Sequence, residues 1–379
     1  MDLSTTPAEE AFRARTRAWI EANRPRGARR DPETLRDWQR RLHAAGYLGA
    51  AWPREWGGAG LAPMEQAILN EELARANAPS PLGHMGLTWV GPAILSYGSE
   101  EQKRRFLLPL LRGDDVWATG YSEPGAGSDM FNTQTRAERR GDHFVIDGQK
   151  TWTSQASECN WYFLLVRTAS GGQKWAGLSV LLVPLATPGI EIRPIRQING
   201  ASHFCEVFLK DVRVPADALL GGEGQGYEIV SSALINERTG IAGAIHFDHA
   251  LAAILETARE RGLTGDPVWR QRIAELAIKA QIMKAMGLRV LSDQLHDRFN
   301  PHTSAAMKCI ASHFTQQFSE AGVEMLGPYG VLLGGDPEAP GHSVWPERFL
   351  GDRAMTIAGG TSEIQRNIVA ERILGLPRR

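Results

Sequence analysis

A glycine-rich segment is the first stretch of this 379-residue chain whose residue types suit binding chemistry. Residues 120–129 read GYSEPGAGSD, and their small residues let the backbone approach a ligand while successive N–H groups form an anion-binding nest. Ser122 and Ser128 add hydroxyl groups. No Gly-Lys-Ser/Thr triplet follows, so the segment is not a nucleotide P-loop. From the residues, a binding site and a plain turn remain equally good interpretations.

A second candidate follows at residues 150–154, which read KTWTS. The indole of Trp152 can lie against a flat ring, and the hydroxyl of Ser154 would point the same way from a strand. The alternative interpretation is that Trp152 simply fills the core.

Glu237 is a carboxylate on the apolar face of a predicted helix. That face is formed by residues spaced by fours and sevens: Val230, Leu234, Ile241 and Ile245. Burying a carboxylate is costly unless it finds a partner. Glu237 is therefore either an ion-pair partner of an arginine such as Arg238, or a general base whose pKa is raised by loss of water.

The hydrophobic period divides the chain into three parts. Helical spacing up to about residue 118 gives way to strand-like runs, and helical spacing returns from residue 226 to residue 374. The strand-like runs are 143–146, 161–166, 178–183, 189–192 and 204–209. The sequence therefore predicts an α+β protein with segregated elements. The predicted domains are residues 1–119, 120–222 and 223–379.

Composition excludes several classes of function. The net charge is −1, and no apolar run reaches the roughly 18 residues of a membrane helix, so we expect neither nucleic-acid binding nor a membrane span. The N-terminal residues show no secretory signal, and the three cysteines lack metal-binding spacing, which favours a cytoplasmic protein without a metal site. Residues 221–226 (GGEGQG) lack both the spacing and the βαβ setting of a dinucleotide motif and are predicted to be a linker.

Five motifs in sequence order resemble the acyl-CoA dehydrogenase family. They are residues 52–58, 123–129, 148–154, 211–215 and 370–377. The resemblance implies a helical N-terminal domain, a central β domain, a C-terminal four-helix bundle and FAD as the cofactor.

The resemblance also implies roles for individual residues. Tyr121, Ser122 and Ser128 would lie along the flavin, Ser128 also near the acyl-CoA, with Trp152 stacked on the isoalloxazine and Ser154 near its N5. The other expected FAD contacts are Arg261, which in the family reaches the cofactor of a neighbouring subunit, Glu324, Gly327, Thr361 and Glu363. Two departures affect them: Thr264 replaces a family Phe, and residues 324–330 (EMLGPYG) replace Gln-x-x-Gly-Gly-x-Gly.

The base implied by the resemblance is Glu237. Many members carry the catalytic Glu in a Tyr-Glu-Gly-Thr motif, but residues 358–361 here read AGGT, so Gly359 cannot be that base. A subgroup resembling isovaleryl- and long-chain-type enzymes instead has Glu directly before Arg on a bundle helix, which Glu237 and Arg238 match. Arg238 would lie near the substrate, and the backbone N–H of Gly359 would polarise the thioester carbonyl.

We therefore expect FAD-dependent α,β-dehydrogenation of an acyl-CoA, in fatty acid or secondary metabolism, with Glu237 removing the α-proton and flavin N5 accepting the hydride. A carrier-protein thioester is an alternative substrate. The implied electron acceptor is an electron-transfer flavoprotein, and the implied assembly is a homotetramer, with a heterotetramer also open. The alternative functions are a flavin monooxygenase or oxidase and a non-catalytic partner subunit.

Overall fold

The computed structural model describes residues 5–25, 31–171, 173–236, 241–334, 336–340 and 344–378. Its elements run in the order helices, strands, helices, which confirms the predicted α+β class. The helices are α1 (Pro7–Asn23), α2 (Pro32–Ala44), α3 (Pro63–Arg75), α4 (Gly91–Tyr97), α5 (Glu100–Arg112), α6 (Gly226–Asn236), α7 (Ile241–Glu260), α8 (Pro267–Leu295), α9 (Thr303–Leu326), α10 (Trp345–Asp352) and α11 (Ser362–Ile368).

The strands form one sheet. They are β1 (Trp117–Gly120), β2 (Arg136–Arg140), β3 (His143–Ser154), β4 (Trp161–Arg167), β5 (Leu178–Pro184), β6 (Ile190–Ile195), β7 (Phe204–Pro215) and β8 (Leu219–Leu220). The order is β6-β7-β3-β2-β4-β5-β8, and β1 pairs in parallel with β4. Large apolar side chains such as Phe144, Tyr162 and Leu164 fill its core. The long β3–β7 pair slips register twice, the second time between Lys150 and Thr153.

The described residues group into two compact units. One unit holds the sheet together with α2, α4, α5 and α6, within residues 21–62 and 78–237. Local sequence signals account for its helix ends. Asp31 precedes Pro32 at the start of α2 and accepts the N–H of Thr34 at 3.0 Å, while Ser99 and Gln102 close a reciprocal capping box on α5.

The other unit holds most of α1 together with α3 and α7 to α11, within residues 1–20, 63–77 and 238–379. The long helices α7, α8 and α9 pack on one another, and α3 packs against α7 and α8. Their core includes Phe247, Ile254, Met283 and Phe318. Packing of these apolar faces positions the short segment 353–361 that precedes α11.

Candidate functional site

The glycine-rich segment 121–129 begins where β1 ends. Only glycine fits at the last position of β1, because a Cβ on Gly120 would lie 2.4 Å from the Tyr162 hydroxyl oxygen. The segment closes on itself, since Glu123 and Ala126 exchange backbone hydrogen bonds of 3.0 and 3.1 Å. A Cβ added at Gly125 would meet nothing within 4 Å. The same holds at Gly127, so the two glycines of the turn face open space, as a ligand-binding segment requires, while Ala126 between them is buried.

A buried ion pair holds this segment against β3. The ammonium of Lys150, which is 0% exposed, donates to the Glu123 carboxylate at 2.8 Å and to the Tyr121 carbonyl at 3.1 Å. The same carboxylate accepts the backbone N–H groups of Gln134 and Thr135 at 2.7 and 2.9 Å. Three donors thus converge on the Glu123 carboxylate, which anchors the segment.

Both members of the pair are charged at neutral pH. Complete burial lowers the pKa of Lys150 to about 8, although the Glu123 carboxylate opposes this shift. Burial also disfavours the ionised carboxyl, but Lys150 and the surrounding hydrogen bonds outweigh it and hold the pKa of Glu123 below its ordinary value. Sequence reasoning assigned neither residue a role. No local signal marks the pair, because the three residues directly before Lys150 are Asp147, Gly148 and Gln149.

Trp152 is not a core residue. Its side chain is 59% exposed, and its φ is +58°. Left-handed backbone is uncommon for a bulky residue and costs free energy, and such strain clusters at functional sites. The strain arises at the β3–β7 register slip, and Phe204 braces the indole edge-on with ring centroids 6.0 Å apart. The strand thus presents a flat aromatic face to solvent.

The predicted flavin contacts of this unit flank the same strand. The backbone N–H of Thr151 donates to the Ser122 carbonyl at 2.9 Å, which ties the glycine-rich segment to β3 one residue before Trp152. Tyr121, Ser122 and Ser154 are half-buried, while Ser128 is exposed toward the far end of the segment. An exposed indole beside small residues and hydroxyls fits a flat, polar-edged ring such as isoalloxazine.

In the other unit, the segment around Gly359 forms a braced turn. Gly359 and Gly360 have φ of +64° and +88°. The Gly359 carbonyl accepts from Gln365 Nε2 at 2.8 Å, and the Gly360 carbonyl accepts from Lys308 Nζ at 2.5 Å. Thr361 then caps α11 by accepting the N–H of Ile364 at 3.3 Å. These hydrogen bonds hold the turn in place. A Cβ at Gly359 would meet nothing within 4 Å, so the side of the turn on which that Cβ would lie is open.

The remaining predicted FAD residues of this unit lie in two places. Arg261 donates to the Leu326 carbonyl at 3.5 Å, and its guanidinium lies 5.4 Å from the ring centre of Tyr329. Glu324 forms an ion pair with Arg272, and Gly327, with φ of +59°, ends α9. Glu363 is exposed in the first turn of α11. Its own backbone N–H and the side chain of Thr361 lower the pKa of its carboxyl.

The proposed base and its neighbour, Glu237 and Arg238, lie outside the described residues, so their roles stay predictions. Among the residues that the structure describes, no group of three His, Cys, Asp or Glu side chains is arranged to hold a metal ion. Within the same residues, no helix combines the length and apolar character needed to cross a membrane.

Comparisons with known proteins cover almost the whole chain. Three family models match in order: "Acyl-CoA dehydrogenase, N-terminal domain" over residues 6–114, the middle domain over 118–212 and the C-terminal domain over 224–374. The chain is 38% identical to the acyl-CoA dehydrogenase IpdE1 of Mycobacterium tuberculosis, over 97% of this chain and 98% of that protein.

Two solved structures are similar over their full length. The structure named "Tcur3481-Tcur3483 steroid ACAD" is 30% identical with a TM-score of 0.86, and both chains are covered completely. The ChsE4–ChsE5 complex from Mycobacterium tuberculosis is 32% identical with a TM-score of 0.85, again with complete coverage of both chains.

Proposed function

Because the chain belongs to the acyl-CoA dehydrogenase family, whose members are FAD-dependent oxidoreductases, we propose that it converts an acyl-CoA to the 2-enoyl-CoA with Glu237 as the base. The observation that carries this proposal is Trp152, whose indole is exposed and whose backbone has a positive φ. It sits beside a glycine-rich segment that the Glu123–Lys150 pair anchors.

The residues of this chain would share the work in the following way. FAD, when bound, supplies the acceptor for the hydride that leaves the β-carbon. Trp152, Ser154 and the segment 121–129 would hold and orient the cofactor. Glu237 would take the α-proton onto its carboxylate, and the C–H electron pair left at the α-carbon would form the new double bond as the β-hydride departs.

The turn at Gly359 would polarise the substrate. Its backbone N–H would donate to the thioester carbonyl oxygen, where negative charge grows as the α-proton leaves. Preorganisation matters here, because a donor that must move into place loses part of its effect. The hydrogen bonds from Gln365 and Lys308 to the carbonyls of this turn support that role.

The experiment that tests this function is an anaerobic titration of the purified flavoprotein with acyl-CoA thioesters, followed by the flavin absorbance. The set should pair straight-chain acyl-CoAs with a steroid-side-chain CoA, because a similar structure is named a steroid acyl-CoA dehydrogenase. Bleaching by either class would support dehydrogenation and identify the substrate class. A bound flavin that no thioester bleaches would contradict the proposal.

The assembly and the electron acceptor complete the proposal. We propose an electron-transfer flavoprotein as acceptor and a tetramer as the working assembly. Two similar structures are each named for two different proteins, which favours a second candidate, a heterotetramer with a partner chain. The mass and flavin content of the protein purified with and without a co-expressed partner would distinguish the two assemblies.

A further inference from the structure

Side chains from two helices hold the turn at Gly359 and Gly360. The amide of Gln365 on α11 donates to the Gly359 carbonyl at 2.8 Å, and the ammonium of Lys308 on α9 donates to the Gly360 carbonyl at 2.5 Å. Two consecutive carbonyls therefore each accept a side-chain donor, which fixes the two peptide groups that follow the Gly359 Cα. We call Gln365 and Lys308 the carbonyl clamp.

The backbone before the turn is fixed as well. The N–H groups of Ile357 and Ala358 both donate to the Ala354 carbonyl, at 2.9 and 2.8 Å. Among the residues that the structure describes, none accepts the N–H of Gly359. The peptide group that carries this N–H is thus held from both sides along the chain, while its donor stays available to a ligand.

Gly360 leaves room for the clamp. A Cβ added there would lie 2.5 Å from the Nε2 of Gln365, whereas a Cβ at Gly359 would meet nothing within 4 Å. A side chain at position 360 would therefore push the Gln365 amide away from the Gly359 carbonyl. The second glycine of the turn thus serves the hydrogen bond that Gln365 makes, in addition to its positive φ.

Gln365 is an expensive residue for its position. Its side chain is 0% exposed, and within the described part of the chain its Oε1 has no hydrogen-bond partner. A buried acceptor without a partner loses its hydration and gains nothing in return. An apolar side chain of similar size would avoid that loss, so stability does not explain an amide here. The hydrogen bond that the amide does make holds the Gly359 carbonyl.

We propose that Gln365 and Lys308 are positioning residues for the dehydrogenation. The clamp keeps the Gly359 N–H directed at the thioester carbonyl, where negative charge grows as the α-proton leaves. This inference rests on the proposed function. A donor that is fixed in advance need not reorient during the reaction, and a misplaced donor costs rate. Neither clamp side chain needs to touch the substrate, so losing one should slow flavin reduction and leave KM nearly unchanged.

The first test is Gln365→Met in the holoenzyme. This variant should reduce its flavin about ten-fold more slowly at saturating acyl-CoA, because the Gly359 carbonyl loses its donor. Its free energy of unfolding should stay close to that of the wild type, since the unpaired Oε1 is removed together with the amide hydrogen bond. Stopped-flow absorbance and urea unfolding measure the two quantities.

Lys308 provides an independent test from the other helix. K308M should also slow flavin reduction about ten-fold, and K308R, which keeps a cationic donor, should recover most of the wild-type rate. His313 is an exposed residue of the same helix, so H313A serves as the control and should react at the wild-type rate.

A vibrational measurement separates positioning from a merely structural role. The 2-enoyl-CoA product, labelled with carbon-13 at its thioester carbonyl, does not react further with oxidised holoenzyme. A hydrogen bond from the Gly359 N–H lowers the stretching frequency of that carbonyl, so Q365M and K308M should show a smaller lowering than the wild type. A slower reaction with an unchanged carbonyl frequency would show that the variants act elsewhere and would overturn the inference.

The flavin titration keeps this inference distinct from the proposed function. If acyl-CoA reduces the flavin of the wild type, Q365M and K308M equally fast, the clamp has no part in the reaction and the proposed function stands. If no thioester reduces the wild-type flavin, the proposed function fails, and the positioning role of the clamp fails with it.

Discussion

The ammonium of Lys150 lies 2.8 Å from the carboxylate of Glu123, and both side chains are buried. The pair joins the strand that carries Trp152 to the segment that carries Tyr121, Ser122 and Ser128. Because both groups are buried, the role of the pair is to position those residues.

Replacing Lys150 with Met should leave the Glu123 carboxylate buried without its main partner. Breaking a buried ion pair in this way costs about 3–5 kcal/mol, so the free energy of unfolding should fall by that amount and FAD should be retained poorly. Urea unfolding and the flavin-to-protein absorbance ratio measure the two effects.

Two companion variants make that prediction specific. The double variant K150M with E123Q removes both charges and should recover part of the lost stability, as a double-mutant cycle would show. The exposed pair of Arg193 and Glu191, 2.7 Å apart, serves as the control, and R193A should change stability little. A loss for K150M no larger than that for R193A would contradict the anchoring role.

The titration of Lys150 should be visible as a change in the free energy of unfolding with pH. Its pKa of about 8 in the folded chain lies below its ordinary value, so between these values the unfolded chain binds more protons and stability rises with pH. The slope from this group is at most about 1.4 kcal/mol per pH unit. Urea unfolding between pH 8 and 10 should show that extra slope in the wild type and not in K150M.

On the acid side, Glu123 changes stability in the same direction, so stability again rises with pH. Its pKa is lowered in the folded chain, so its contribution is complete above its ordinary value and is lost as the pH falls through the lowered value. E123Q should therefore lose less stability than the wild type between about pH 5 and pH 3. Parallel acid titrations of the two proteins by circular dichroism would check this, and coincident curves would refute it.

Trp152→Gly should separate stability from cofactor binding. Glycine adopts a φ of +58° without strain, so the apoprotein should unfold with equal or slightly higher free energy, while FAD affinity should fall at least about ten-fold. Gln155, with φ of +54°, provides the control: Q155G relieves the same strain without removing the indole and should keep its FAD affinity. Flavin fluorescence titrations of both apoproteins measure this, and equal affinities would argue against stacking on Trp152.

Gly359→Ala should reduce turnover more than stability. The added Cβ has open space, so the positive φ of +64° costs only about 1 kcal/mol, but the methyl group and the strained backbone should disturb the proposed N–H donor and lower kcat about ten-fold or more. Gly141, with φ of +66° and equal open space, gives the matched variant G141A, which should lose similar stability and keep its kcat. Equal kcat values would remove Gly359 from the mechanism.

The sequence predicted the strands in which apolar and polar residues alternate or in which apolar residues are continuous. It missed the strands that have neither pattern. Four of the five strand-like runs lie within β3, β4, β5 and β7, and the run 189–192 begins one residue before β6. By contrast, β2 reads RAERR with a single buried side chain, β1 has four residues and β8 has two, so none carries a usable apolar period.

The sequence could point to the segments of the candidate site but not to their conformation. The positive φ of Trp152 arises from a register slip between two strands, which no local pattern around residue 152 indicates. The contact between Glu123 and Lys150 joins residues far apart in sequence, and so does the ion pair of Glu324 with Arg272. Family motifs identified the segments, while tertiary contacts decide which side chains face a ligand.

The most direct test of the central claim is the rate of anaerobic flavin reduction by an acyl-CoA in the variant E237Q. General-base catalysis contributes about 10²–10⁴-fold, so E237Q should bind FAD and acyl-CoA as the wild type does and reduce the flavin at least about 100-fold more slowly. E228Q neutralises an exposed carboxylate in the first turn of α6 and should react at the wild-type rate. Wild-type reduction rates in E237Q would show that another group removes the α-proton.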